Sequence, residues 1–142
     1  MSLGNAPAIG NQMIKELTIA SALVLATTGA HAADWELVQR DDDATISADM
    51  SSRTHVGPIA KIWVSTVYTP AQVWDDFPGP IKSSKDRWIF NCKDQTHSTG
   101  TGVDYGEHDE VLFSTPGAPD RFKDVVPETV AAEVMAIACS KR

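Results

Sequence analysis

Cys92 and Cys139 are the two cysteines of the 142-residue sequence. A bond between them would decide which segments of the chain lie together. Whether they bond depends on the compartment, and the start of the chain speaks to that. Lys15 supplies a positive charge, partly offset by Glu16, and Leu17 to Ala26 is an uncharged, mostly apolar run. Ala30-His31-Ala32 then gives the small-x-small pattern of a signal-peptidase site, so cleavage is expected after Ala32. The apolar run is too short for an ordinary transmembrane helix. The competing reading is a buried N-terminal helix of a cytosolic domain, which the polar break around His31 and Asp34 disfavours. Met1 to Gln12 reads as a vector remnant or an upstream extension, with Met13 as the natural start. Residues 1–32 therefore stand apart, and residues 33–142 read as a single domain.

An even number of cysteines in an exported chain reads as a disulfide. Two separate buried thiols are the alternative. Two thiols are too few for a structural zinc site, and they lack Cys-x-x-Cys spacing. No cysteine stands at the cleavage site, so a covalent membrane anchor is not expected. The expected location is the periplasm or the exterior. The formal net charge of −7 disfavours phosphate backbones and polyanionic membrane surfaces as partners. A hydrophobic content of 42% belongs to a folded domain rather than a disordered one.

Short alternating segments follow one another along the mature chain. Trp35 to Val38 and Ala44 to Ala48 read as strands separated by the acidic turn Asp41-Asp42-Asp43. His55 to Pro58 is a turn. Ala60 to Tyr68 is the clearest strand, with Ile62, Val64, Thr66 and Tyr68 on one face and Lys61, Trp63, Ser65 and Val67 on the other. Pro70 to Pro80 is a connection with a helical turn expected over Ala71 to Asp76. Arg87 to Lys93 places Trp88, Phe90 and Cys92 on one face and Arg87, Ile89 and Asn91 on the other. Gln95 to Tyr105 reads as an edge or bulged strand, and Glu110 to Thr115 as the last strand.

The period then changes. Val130, Ala131, Val134, Met135, Ile137, Ala138 and Cys139 fall on one arc of a helix, with Thr129, Glu133 and Ser140 opposite. Pro127 and Glu128 suit a first helical turn, and Lys141 and Arg142 suit the C-terminal end. A Cys92–Cys139 bond would clamp this helix across the aromatic face of the sheet. The expected class is α+β, an antiparallel sheet covered on one face by a C-terminal helix.

An ordered set of segments resembles the surface-adhesin protein E family of Gram-negative bacteria. Ala33-Asp34-Trp35-Glu36-Leu37-Val38 is similar to the family's start, and Lys61-Ile62-Trp63-Val64 with Tyr68 to its central strand. Ser83-Ser84-Lys85 and Phe90-Asn91-Cys92 resemble its Ser-x-Lys and Phe-Asp-Cys segments. Tyr105, Gly106, Val111 and Ser114 follow at matching spacing. Pro127-Glu128-Thr129 and Ala138-Cys139 resemble its close. The resemblance implies a six-stranded antiparallel sheet, a C-terminal helix disulfide-bonded to its concave face, and dimerisation. It also implies adhesin-like binding of host matrix and serum proteins. This sequence departs from the pattern at Asn91, where the family has Asp, and in lacking a lipid-anchoring cysteine.

Lys82, Lys85, Arg87 and Lys93 form a candidate partner-binding patch that would steer an acidic partner. The competing reading is a strand edge blunted by charge. Asp104, Glu107, His108, Asp109 and Glu110 are the densest acidic group. They lack calcium-loop and His-x-x-x-His spacing, so a hydrophilic hairpin loop is expected in place of a metal site. Trp35, Trp63, Trp74 and Trp88 suit core or interface positions. The sheet face opposite the helix would present Ile89 and one side of the Ala60–Tyr68 strand. If apolar and uncovered, it predicts a protein partner or a homodimer. No Gly-x-Ser-x-Gly, Gly-rich phosphate loop or free nucleophilic thiol is present, and His55, His97 and His108 have no obvious Ser or Asp partner by catalytic sequence spacing. No catalytic, cofactor or metal residue is assigned. The expected function is a non-enzymatic exported binding module. The alternative is a soluble periplasmic ligand-binding or envelope-associated protein with no role in host adhesion.

Overall fold

The computed structural model describes residues 32–141. Residues 1–31, on which the expected signal peptide falls, and the terminal Arg142 lie outside the described residues. The elements are β1 (Trp35–Arg40), β2 (Ala44–Val56), β3 (Ile59–Gln72), β4 (Ile81–Asn91), β5 (Thr96–Tyr105), β6 (Val111–Thr115), β7 (Lys123–Asp124) and α1 (Val130–Cys139). Strands β1 to β6 pair in chain order, each antiparallel to the next, and the two-residue β7 pairs with β5. Among the described residues no helix is long and apolar enough to cross a membrane.

The turns between strands are closed by specific side chains. One Asp41 carboxylate oxygen accepts from the Asp43 and Ala44 amides at 2.9 and 2.8 Å, so the acidic turn between β1 and β2 is a backbone-capping device. Those amides hold the Asp41 carboxyl below its ordinary pKa. Gly57 starts the β2–β3 turn at φ +59°, a conformation that costs glycine little. After β4, the Asn91 carbonyl oxygen accepts from the Lys93 and Asp94 amides while its amide nitrogen donates to Asp94 at 2.8 Å. An Asp at this position could accept in this turn but could not donate to Asp94.

Alternation divides the sheet into two faces. On the inner face, Ile46, Ala48, Ala60, Ile62, Val64, Trp88 and Phe90 meet Val130, Val134, Met135 and Ala138 of α1. Ala48, Ala60, Ile62, Phe90, Val134 and Ala138 are completely buried. Burying a side chain the size of Val134 stabilises by roughly 1.5–3 kcal/mol. The Cys92–Cys139 disulfide closes one end of this contact, with Cα atoms 5.7 Å apart. At the same end, Arg53 donates to the Ile137 carbonyl and the Ser140 hydroxyl at 2.9 and 2.6 Å, and the His55 Nε2–H donates to the Ala138 carbonyl. These bonds satisfy carbonyls that the end of a helix leaves without partners.

The layer arrangement and the bond between sheet and helix are those expected. Several boundaries differ. Strands β2 and β3 run well past the expected limits, because a bulge between Asp49 and Thr54 lets β2 continue pairing with β3. Ala71 to Asp76 contains no helical turn: β3 runs to Gln72, and the chain then turns with the Phe77 amide donating to the Trp74 carbonyl. β4 starts at Ile81, before the expected Arg87. β5 is bulged as expected, but it is interior, flanked by β4 on one side and by β6 and β7 on the other. Pro127 and Glu128 precede the helix. Glu128 has φ +61°, and Thr129 is the N-cap, accepting from the Ala132 amide.

Candidate functional site

With α1 on the inner face, the outer face of the sheet carries the remaining conspicuous side chains. The register aligns them. Trp35 pairs with Asp49, Asp49 with Trp63, and Trp63 with Arg87. In the next row Leu37, Ser47, Ser65, Lys85 and Val103 lie side by side, and beyond it Ser83 pairs with Tyr105. Arg87 lies over the Trp63 ring at 5.7 Å from its centroid. The Lys85 ammonium lies 5.9 Å from the Trp35 centroid and 5.4 Å from that of Tyr105. Such contacts orient a cation without neutralising it.

The pairing places four cations, Arg40, Lys61, Lys85 and Arg87, on this face of β1 to β5, against one carboxylate, Asp49. Asp49 is itself engaged. Burial pushes its carboxyl up, but the Ser51 hydroxyl at 2.6 Å and the Asp34 and Ser51 amides outweigh that and hold it below its ordinary pKa. Among the described residues neither Lys85 nor Arg87 has a carboxylate within ion-pair distance. Arg87 Nε is out of solvent and has no hydrogen-bond partner among the described residues.

The expected patch therefore divides. Lys85 and Arg87 share the outer face. Lys82 points the other way and forms an exposed ion pair with Asp109 at 3.6 Å. Lys93 lies in the turn beyond the far end of β4. β4 is an interior strand, so these cations do not guard an edge. The outer face is also not apolar. Ile89 is buried because the loop after β6 folds over that end, with the Ser98 hydroxyl donating to the Pro119 carbonyl at 2.8 Å. Gly117 in this loop has φ +67°, and a Cβ there would collide with the Gly100 carbonyl. Sequence alternation put Trp63 and Arg87 each on one side of its own strand. Their contact needed the β3–β4 register.

Two of the acidic residues shape the β5–β6 turn. Glu110 accepts from the His108 amide and closes the β5–β6 turn, in which Asp109 has φ +61°. Asp104 lies apart on the inner face, diagonal to Asp86. Burial, and then the charge of Asp104, push the Asp86 carboxyl above its ordinary pKa, and burial does the same to Asp104. A raised folded-state pKa means that the ionised form is disfavoured by folding. The cost is full above the folded value and vanishes as pH falls below the unfolded one. Asp86→Asn is expected to raise the melting temperature at pH 7, with the gain shrinking toward about pH 4. Thermal melts across that range check it; an equal gain at both ends would contradict it.

His97 sits against Phe90 and Trp88, with ring centroids 6.1 and 6.0 Å away. Burial first, and Lys123 second, depress its pKa. His55 holds the end of α1, and His108 lies in the β5–β6 turn. The tryptophans are divided among different environments. Trp35 and Trp63 face outward, Trp88 packs against the core, and Trp74 is half exposed with its edge on Phe77.

No curated protein matches the chain. The family model described as surface-adhesin protein E matches residues 35–140, from the first residue of β1 to the residue after α1. The chain belongs to the surface-adhesin protein E family.

Proposed function

We propose that this protein is an exported, non-enzymatic binding module that uses the outer face of its sheet. The observation that carries the reading is the division of labour between the two faces. The inner face is filled by α1, whereas the outer face keeps Trp35, Trp63, Lys85, Arg87 and Tyr105 together with no covering element over them among the described residues. Trp, Tyr and Arg are the residue types that dominate binding energy at interfaces. Family membership supports the same use, adhesion to another molecule. A homodimer whose two-fold axis passes through the Lys85–Arg87 cluster is disfavoured, because it would set like charges against each other.

The test is capture of the protein by a panel of immobilised matrix and serum proteins. Ser65 lies between Ser47 and Lys85 at the centre of the face. Ser65→Trp is expected to abolish capture, while Glu133→Ala on the exposed side of α1 leaves it unchanged. Capture that survives Ser65→Trp in a folded variant would defeat the use of this face. Protease treatment of intact cells separates surface adhesion from the periplasmic alternative: cleavage supports the first, protection the second.

A further inference from the structure

We infer that Lys85 and Arg87, set among Trp35, Trp63 and Tyr105, take the carboxylates of an acidic, Asp- or Glu-rich segment of a protein partner. The inference rests on the proposed use of the outer face. Its first support is charge. In a chain of net charge −7, this face has four cations and a single carboxylate already held by hydrogen bonds. An acidic segment is therefore repelled by most of the molecule and attracted here.

The second support is preorganisation. The Trp63 ring holds Arg87, and the Trp35 and Tyr105 rings hold Lys85, so neither long side chain must be ordered on binding. The rings do not accept hydrogen bonds as a carboxylate oxygen does, so the donors stay unmatched. Arg87 Nε is the clearest case, removed from water with no acceptor. A small rotation of the guanidinium presents Nε and one Nη to a carboxylate as two parallel donors.

The third support is spacing. Lys85 and Arg87 are alternate residues of β4, about 7 Å apart along the strand. Alternate side chains of an extended acidic segment repeat at the same interval. Its carboxylates can therefore meet both cations without bending the segment. The serines at Ser47, Ser65 and Ser83 leave the surface beside them low enough for a backbone to approach.

The test is titration with hexaglutamate at low ionic strength, followed by tryptophan fluorescence, with a heparin hexasaccharide and hexalysine in parallel. Saturable hexaglutamate binding that weakens with salt is expected, with no response to hexalysine. Arg87→Ala and Lys85→Ala should each weaken it about tenfold. Lys82→Ala and Lys93→Ala, which remove cations remote from the cluster, should change it less than about twofold. Arg87→Lys should recover only part of the loss, because an ammonium cannot make the paired contact. Absence of saturable binding overturns the inference, as does an equal loss in Lys82→Ala or Lys93→Ala. Heparin binding that depends on Lys85 and Arg87 when hexaglutamate binding does not would assign the cluster to a sulfated glycan instead. If hexaglutamate fails while Ser65→Trp still abolishes capture from the protein panel, the outer face remains the binding face and only the acidic partner is excluded.

Discussion

Replacing Cys92 and Cys139 together by Ala is expected to lower stability by about 4 kcal/mol on the chain-entropy model. The bridge spans 47 positions, so in the unfolded chain it removes the freedom of a long loop. Small domains are typically stable by only about 5–15 kcal/mol, so the loss is a large fraction of the whole. The folded arrangement should nevertheless persist. Arg53 and His55 still hold the last carbonyls of α1, and Val134 and Ala138 still fill the inner face. Denaturant titration of the disulfide-bonded protein and the double variant measures the difference. An unchanged midpoint would show that the bridge contributes nothing to stability.

Phe90→Ala is expected to cost about 3–5 kcal/mol. The ring is fully buried in the inner-face core, beside Ala60 on β3 and against His97 and Trp88. Ala48, Ala60, Val134 and Ala138 nearby are small and cannot expand into the space, so a cavity would remain. Phe113→Ala is the comparison, because that ring is half exposed and leaves no enclosed void. Urea denaturation of both variants checks the contrast; equal losses would mean that burial of Phe90 contributes no more than that of the half-exposed Phe113.

The inner face was readable from the sequence because two periods converge on it. Alternation in β3 and β4 put Ile62, Val64, Trp88 and Phe90 on single faces, and the helical arc put Val134 and Ala138 opposite Glu133. Cys92 and Cys139 lay at the ends of these two patterns, so the bond agreed with both. The strand ends were less readable. Pro70 and the polar stretch Ser51 to His55 look like breaks, yet pairing with neighbours carries β2 and β3 through them. Tertiary pairing outweighs local propensity there. β5 looked like an edge because glycines and threonines dominate it. Gly100 is buried against Ile89 and Arg87, and Gly102 leaves room for the Asp86 carboxylate. The candidate site was half legible. Lys85 and Arg87 were found as neighbours in sequence, but Trp35, Trp63 and Tyr105 join them only through the register of four strand pairs.

The order of the sheet bears on how the molecule reaches this state. Because each of β1 to β6 pairs with the strand that follows it, most of the sheet can assemble as successive hairpins with short loops to close. Contacts of β1 and β2 with α1 join parts of the chain far apart in sequence, and they have a surface to form on only once those strands are paired. The sheet thus serves as a template that brings Cys139 to Cys92. With only two thiols there is a single intramolecular product, so oxidation needs a donor of oxidising equivalents but no isomerase to correct it.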